Sequence, residues 1–321
     1  MEESSTFDVI VIGAGPAGLA CAIAAHQKRI SCVVLDKGSI VDAIRRFPTS
    51  QTFFSTPELL EIGNVPLIIP TLRPTRIDIL RYYHRVAKEF NLNIRTDAEV
   101  LSVEGLDHSF DVITRAQRYH GRNVVFATGY FDNPNPFDIP GSDLPKTLRY
   151  YSEPYLYAGK QIAVVGGKNS AVEIALELFR NGSRVTLIHR GSKLSEGVKY
   201  WILPDIENRI KAGEISAFFE TRVREIRRAE LVLEGKHAGL IPNDIVFVMI
   251  GYRPDNGLLE KLGVTIDPTT LAPLHNGETM ETNVPGIYVA GSIAAGKFNN
   301  KIFIENGRLH GTLIIHSIEK K

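Results

Sequence analysis

The sequence has little of what several protein classes depend on. Only two of its 321 residues are cysteine, Cys21 and Cys32, which excludes a disulfide framework, a cysteine zinc cage and any Cys-x-x-Cys dithiol. Lys and Arg total 37 against 36 Asp and Glu, so the net charge of +1 creates no overall field that would attract nucleic acid. The histidines show no metal-ligand spacing. We therefore expect no nucleic-acid partner and no metal site.

Long apolar runs are absent as well. No stretch approaches the roughly 18 apolar residues that a membrane helix needs. The chain begins with the acidic segment Met1–Glu3, where a signal peptide would be basic. Since 44% of the residues are hydrophobic and 23% are charged, the composition is that of a globular protein. We expect a cytoplasmic protein without a membrane partner, and the length suggests two domains.

The sequence does contain a strand, turn, helix and strand unit near its start. Residues 7–12 are an apolar, β-branched run that predicts a buried strand, and the glycine-rich turn 13–18 follows it. Gly15 lets a pyrophosphate approach the backbone, and Gly18 lets the helix pack closely on the strand. The second strand ends on Asp36, which is placed to accept hydrogen bonds from ribose hydroxyls. This unit predicts a dinucleotide site.

The same pattern recurs in the second half of the chain. It consists of a strand (161–165), a turn (166–171), a helix (172–180) and a strand (184–188). Lys168 stands where a second glycine is expected, and the strand ends on His189 and Arg190 instead of an acid. A carboxylate would repel a 2′-phosphate, whereas a guanidinium can bind it, so this unit favours NADP(H) over NAD(H). The alternative is a solvated basic loop.

Two nucleotide units in one chain suggest that one cofactor reduces another. We interpret the second unit as an insertion into the first domain. The expected fold is α/β with two Rossmann-like domains, the first at 1–153 and 252–321 and the second at 154–251. A late strand near 286–291 and a helix from about Ile304 would complete the first domain.

The order of these motifs resembles a known flavoprotein fold. The segments 13–18, 128–129, 166–171, 189–190, 251–254 and 290–291 resemble those of the low-molecular-weight thioredoxin reductases, which bind FAD and NADPH. More narrowly, the segments 51–55, 166–171, 201–204, 302–307 and 310–311 resemble the bacillithiol disulfide reductase (bacilliredoxin reductase) branch. The resemblance covers nearly the whole chain and implies a homodimer.

The resemblance also implies two sets of binding residues. FAD would be held by Gly13, Ala14, Gly15, Pro16, Ala17, Asp36, Lys37, Gln51, Thr52, Val100, Thr128, Gly129, Gly291 and Ser292. NADPH would be held by Gly166, Gly167, Lys168, Asn169, Ser170, Ala171 and His189, with Arg190 at the 2′-phosphate.

Two positions depart from the resemblance. Ser292 stands where the wider fold usually has an aspartate, and the narrow branch also lacks that aspartate. Ala17 stands where the narrow branch carries its flavin-proximal cysteine. Cys21 lies one helical turn further along and is predicted to be a small core residue, as is Cys32. The sequence therefore assigns no catalytic residue.

We expect an NADPH-dependent flavoprotein oxidoreductase. Hydride would pass from NADPH to FAD and then to a low-molecular-weight disulfide, or to a redox protein of the bacillithiol or thioredoxin type. One alternative is cysteine-independent electron transfer of the ferredoxin or flavodoxin NADP reductase kind, for which Ala17 is no obstacle. A second alternative is a non-enzymatic, flavin-based redox sensor.

Overall fold

The computed structural model describes residues 6–298 and 301–321. In chain order the strands are β1 (Thr6–Ile12), β2 (Cys32–Leu35), β3 (Ile94–Arg95), β4 (Val100–Leu106), β5 (Ser109–Thr114), β6 (Arg118–Phe126), β7 (Thr147–Leu148), β8 (Gln161–Val165), β9 (Arg184–Ile188), β10 (Ser216–Phe218), β11 (Thr221–Ile226), β12 (Glu230–Gly235), β13 (Gly239–Pro242), β14 (Ile245–Val248) and β15 (Ile287–Val289). The helices are α1 (Pro16–Gln27), α2 (Asp42–Arg45), α3 (Pro57–Leu60), α4 (Arg76–Glu89), α5 (Asn169–Arg180), α6 (Leu203–Lys211), α7 (Gly257–Lys261), α8 (Ile304–Gly307) and α9 (His310–Glu319).

The chain divides into two compact units. The first comprises Met1–Arg46, Gln51–Asn133 and Tyr252–Lys321, and the second comprises Phe47–Ser50 and Pro134–Gly251. No helix among the described residues combines the length and the apolar character that crossing a bilayer requires.

The first unit is built on a seven-stranded sheet. Its order is β3-β2-β1-β6-β5-β4, and β15 pairs with β6. The strands β3, β2, β1, β6 and β15 are parallel, so their carboxyl ends meet at one edge. Val9, Ile10 and Val11 are all completely buried, and since successive side chains of a strand point to opposite faces, both faces of β1 are covered. The helices α1 and α9 pack together beside this sheet.

The second unit repeats the arrangement on a smaller scale. Its five-stranded sheet has the order β10-β9-β8-β14-β7, and all four pairings are parallel. The helix α5 buries one apolar face against β8 and β9, with Ala171 and Val172 fully enclosed. A separate antiparallel sheet, β11-β12-β13, completes the unit.

The predicted α/β fold with two Rossmann-like units is confirmed, with two differences in detail. Residues 47–50 and 134–153, which we expected in the first domain, pack with the second unit. The longer of these segments is held there because β7 pairs with β14. The helix expected from Ile304 is interrupted: α8 is a single turn, and the longer α9 begins at His310.

Candidate functional site

The first glycine turn, residues 13–18, lies at the carboxyl edge of the first sheet. Gly13 has φ +110°, and a Cβ there would lie 2.5 Å from the carbonyl oxygen of Ala127. Its N–H donates to the carbonyl of Leu35 at 2.7 Å, which holds the turn against β2. Only glycine combines this backbone conformation with so close an approach to β6.

Gly15 serves a different purpose from Gly13. Its φ is −72°, which any residue adopts, and a Cβ added there would meet no atom within 4 Å. The space beside Gly15 is therefore open, at the start of the α1 helix, where a pyrophosphate would approach. A Cβ on Gly18 would instead lie 1.9 Å from the carbonyl oxygen of Gly13. The turn thus fits the diphosphate of a dinucleotide such as FAD.

Asp36 holds this turn through backbone amides. Its carboxylate accepts hydrogen bonds from the N–H of Ala14 at 2.6 Å and the N–H of Gly38 at 2.8 Å. Burial raises the pKa of the Asp36 carboxyl, and the two amide hydrogen bonds oppose that rise. The Ala98 N–H donates to the Asp36 carbonyl at 2.8 Å, which brings the start of β4 at Val100 to the same edge.

Three further predicted residues of the FAD set lie in hydrogen-bonded or ion-paired positions. Lys37 forms an ion pair with Asp132 at 3.0 Å. The side-chain amide of Gln51 donates to the carbonyl of Thr52 at 3.0 Å, and Thr52 forms an antiparallel bridge with Thr75. The segment carrying Gln51 and Thr52 is therefore attached to the N-terminus of α4.

The remaining predicted residues of this set are brought together at the ends of β6 and β15. Thr128 and Gly129 follow β6, and a Cβ on Gly129 would lie 3.7 Å from Ser292 Oγ. A Cβ on Gly291 would lie 2.8 Å from the Ala17 methyl, so Gly291 packs directly against α1. The structure thus gathers both glycine positions beside the first turn.

His310 is a member of this cluster that sequence reasoning missed. The N–H of Gly291 donates to His310 Nδ1 at 3.1 Å, which places the ring proton on Nε2. Burial, together with the nearby His275, lowers the pKa of His310 to about 4. The available signal was its position beside Gly311 in a segment that carries the branch resemblance.

The depressed pKa of His310 predicts a pH-dependent stability. Between pH 6.5 and about 4 the unfolded chain binds a proton at this ring that the folded chain does not, so stability falls as the pH falls. We expect His310→Asn, whose amide oxygen can also accept from Gly291, to reduce this loss by about 1–2 kcal/mol. Urea unfolding of both proteins at several pH values measures it. Parallel pH dependences for the two proteins would contradict the assignment.

The second glycine turn, residues 166–171, repeats the first in geometry. Gly166 has φ +150°, and a Cβ there would lie 2.5 Å from the carbonyl oxygen of Met249. Gly13 makes the same close approach to the carbonyl oxygen of Ala127. Lys168 has φ −110°, a conformation open to any residue, and its side chain is exposed. Lysine is therefore accommodated where the first turn has Gly15, and its charge lies at the start of α5.

The other predicted residues of this set surround the second turn. The His189 ring covers Gly167, where an added Cβ would lie 2.5 Å from the imidazole. Burial and the adjacent Arg190 lower the pKa of His189, so the ring is neutral near pH 7. Arg190 is exposed at the carboxyl end of β9. Ser170 is exposed and Ala171 is buried.

Asn169 has a structural task in this arrangement. Its side-chain oxygen Oδ1 accepts from the N–H of Lys199 at 2.7 Å, and its side-chain Nδ2 donates to the carbonyl of Gly197 at 2.9 Å. The Ser195 N–H also donates to the Gly167 carbonyl at 2.9 Å. The loop 195–199 is thereby fastened to the second turn.

Neither cysteine is a thiol that could react at these sites. Cys21 is fully buried on α1, and this burial raises the pKa of its thiol far above the usual range. Burial raises the pKa of the Cys32 thiol to about 12. The prediction that Cys21 is a core residue is confirmed. Across residues 6–298 and 301–321, no three His, Cys, Asp or Glu side chains form a group that could hold a metal ion.

Comparison with known proteins finds matches over nearly the whole chain. The family profile described as pyridine nucleotide-disulphide oxidoreductase matches residues 10–291. The bacilliredoxin reductase Bdr of Bacillus subtilis is 44% identical over 97% of this chain and 97% of its own length. The solved structure of bacillithiol disulfide reductase Bdr from Bacillus cereus is 42% identical, covers 98% of this chain and 99% of that one, and superposes with a TM-score of 0.96. A ferredoxin–NADP reductase of Ignicoccus hospitalis is 26% identical over 89% of this chain and 90% of its own length.

Proposed function

Because the chain belongs to the pyridine nucleotide-disulphide oxidoreductase family, we propose that it reduces a low-molecular-weight disulfide of the bacillithiol type, or its partner redox protein, with electrons from NADPH. It is an oxidoreductase with FAD and NADPH as cofactors. In the net reaction, NADPH and one proton reduce the disulfide to two thiols and leave NADP⁺. The bound flavin supplies a two-electron carrier between donor and acceptor.

The two strand, turn, helix and strand units end in side chains of opposite charge, and this is the observation that carries the proposal. Asp36, held by the amides of Ala14 and Gly38, suits a dinucleotide with free ribose hydroxyls, which describes FAD. Arg190 follows the second turn as an exposed cation and suits the 2′-phosphate of NADPH. In this proposal the first unit holds FAD, the second holds NADPH, and both sets of predicted residues act as ligands.

The chain itself offers no thiol to the acceptor. Disulfides usually open by thiolate attack through a mixed disulfide, but Ala17 has no thiol, Cys21 is buried, Cys32 is only partly exposed, and both cysteines have raised pKa values. The electrons therefore have to reach the acceptor without a covalent intermediate on this protein.

The lack of a reactive thiol supports a second candidate, electron transfer to a ferredoxin- or flavodoxin-like protein. Such an acceptor takes electrons without thiol chemistry, so this function does not require a reactive cysteine. The relative from Ignicoccus hospitalis, which is named a ferredoxin–NADP reductase, matches 89% of the chain. We further propose a cytoplasmic homodimer that acts without a membrane partner.

An anaerobic titration tests the proposal. NADPH is added to the purified yellow holoenzyme until the flavin absorption is lost, and bacillithiol disulfide, ferredoxin and oxygen are then added in separate samples. Recovery of the flavin colour with the disulfide supports the first candidate, and recovery only with ferredoxin supports the second. A flavin that NADPH does not bleach would contradict both and leave a redox sensor.

Arg190→Ala is expected to discriminate between the two nicotinamide nucleotides. Removing a charge-assisted contact to the 2′-phosphate should weaken NADPH binding by about ten- to a hundredfold and barely change NADH binding. Dissociation constants for NADP⁺ and NAD⁺ measure this effect. Arg184→Ala, at the opposite end of β9, is the matched control. Equal losses for both nucleotides in the Arg190 variant would rule out the 2′-phosphate contact.

A further inference from the structure

The helix α4 carries a row of basic side chains on one face. Arg81, His84, Arg85 and Lys88 are spaced at i, i+3, i+4 and i+7, and all four are exposed. Across residues 61–89 the chain has five Lys and Arg residues and three acids, Glu61, Asp78 and Glu89, which gives a net charge of +2 against +1 for the whole chain. The carboxylate of Asp78 is already used, since it accepts from the Thr75 N–H at 2.9 Å in the capping box of α4. This stretch is therefore a local concentration of positive charge.

Two large apolar side chains project beside this row. Ile68 is 83% exposed and Leu72 is 72% exposed, on the proline-rich segment that leads into α4. The start of that segment is tied to the helix, because Tyr82 Oη donates to the carbonyl of Val65 at 2.8 Å and Arg85 donates to the carbonyl of Pro66 at 2.6 Å. Ile68 and Leu72 are therefore exposed on a segment whose start is fastened to α4.

An open groove of about 610 Å³ continues this surface. Its apolar part is formed by Ile40, Leu92 and Ile94, and the basic side chains of α4 form one wall. We refer to Ile68, Leu72, Arg81, Arg85 and Lys88, with this groove, as the α4 surface.

The α4 surface is connected to the candidate flavin site. The N–H of Arg76, the first residue of α4, donates to the carbonyl of Gln51 at 2.8 Å, and Thr75 bridges to Thr52. Gln51 and Thr52 belong to the set of residues proposed to hold FAD. The N-terminus of α4 is therefore attached to a segment proposed to hold FAD, and Arg81, Arg85 and Lys88 follow about 8, 14 and 18 Å further along the same helix.

We infer that the α4 surface docks an acidic redox protein, which is the electron acceptor. Carboxylates of the partner would face Arg81, Arg85 and Lys88, and an apolar side chain of the partner would enter the groove. This inference rests on the proposed function, because it assigns a protein as the acceptor. A second copy of the chain is disfavoured, since two such basic faces would repel each other in a two-fold interface. A flat anionic membrane is disfavoured because it cannot fill a concave groove.

A charge reversal tests the inference with the holoenzyme. Arg81→Glu/Lys88→Glu changes two exposed residues and leaves Arg85 to hold the Pro66 segment. Arg222→Glu/Arg224→Glu, on the exposed side of β11 in the second unit, is the control with the same change in net charge. The probes are a purified acidic ferredoxin and an acidic thioredoxin-like disulfide protein, whose binding is measured by calorimetry at low salt without NADPH.

We expect at least one probe to bind the parent protein, and the α4 variant to bind it about tenfold or more weakly. The control should change by about twofold or less, and salt should weaken the parent's binding. Binding of neither probe, or equal losses in both variants, would overturn the inference. Loss of self-association, or of binding to phosphatidylglycerol vesicles, in the α4 variant alone would also overturn it, in favour of a second copy or a membrane.

A separate assay keeps the docking surface distinct from the proposed function. NADPH-dependent reduction of a small uncharged quinone should be the same in the parent and both variants. Failure of the parent in this assay would contradict the proposed function. The binding measurements would still test whether the α4 surface docks an acidic redox protein.

Discussion

Gly15→Ala should yield a protein that folds as the parent does but is purified without FAD. The added methyl group meets no protein atom within 4 Å, and the φ of −72° suits alanine, so the apoprotein loses nothing. The methyl group would instead occupy the space that the pyrophosphate needs. We expect FAD affinity to fall by about a hundredfold or more, since a displaced diphosphate loses several charge-assisted contacts to the helix N-terminus.

Gly18→Ala is the matched control for this experiment. Its methyl group would lie 1.9 Å from the carbonyl oxygen of Gly13, so the backbone of the turn would have to move. We expect a loss of about 1–3 kcal/mol in the free energy of unfolding of the apoprotein. Flavin absorption per mole of protein, FAD titration and urea unfolding separate the two effects. A Gly15→Ala protein that retains its flavin would show that no diphosphate lies against this turn.

Ala17→Cys should create or strongly increase disulfide reductase activity. Ala17 is half-buried in the first turn of α1, where the helix dipole lowers a thiol pKa, whereas Cys21 lies one turn further inside the core. The new thiolate would attack the acceptor disulfide, form a mixed disulfide and release one thiolate, which takes up a proton from solvent. Two electrons from NADPH and a proton would then cleave the mixed disulfide and release the second thiol. We expect the rate with bacillithiol disulfide to rise by about tenfold or more.

Ala17→Ser provides the control for this gain. Its hydroxyl resembles the thiol in size but has no redox chemistry, so it should leave the rate at the level of the parent. NADPH consumption with the disulfide, and with ferricyanide as a thiol-independent acceptor, would be measured for all three proteins. Equal rates for the cysteine and serine variants would show that a thiol at position 17 does not serve this chain.

The two nucleotide-binding units could be predicted because their signals are local. Each consists of one buried strand, a glycine turn, a helix and a second strand within about 30 residues. The pairing of β7 with β14 could not be predicted, because β7 has only two residues and its partner lies far along the chain. This is why residues 134–153 were expected in the other domain.

The details of the candidate site were only partly accessible from the sequence. The spacing of Asp36 indicates a ribose ligand, and the structure adds that one of its oxygens holds the Ala14 amide of the turn and the other holds the Gly38 amide. His310 was missed because its hydrogen bond to Gly291 joins residues 19 positions apart, and nothing in a short segment reveals such a contact. Asn169 was assigned to NADPH, but its side chain also fastens the loop at 195–199, a role that no motif describes.

The seclusion of the two thiols has a consequence for oxidative damage. Peroxide and electrophiles attack exposed thiolates, whereas Cys21 is fully buried, Cys32 is only partly exposed, and the pKa of both thiols is raised. We therefore expect hydrogen peroxide to modify either cysteine slowly, so that thiol oxidation does not inactivate the protein.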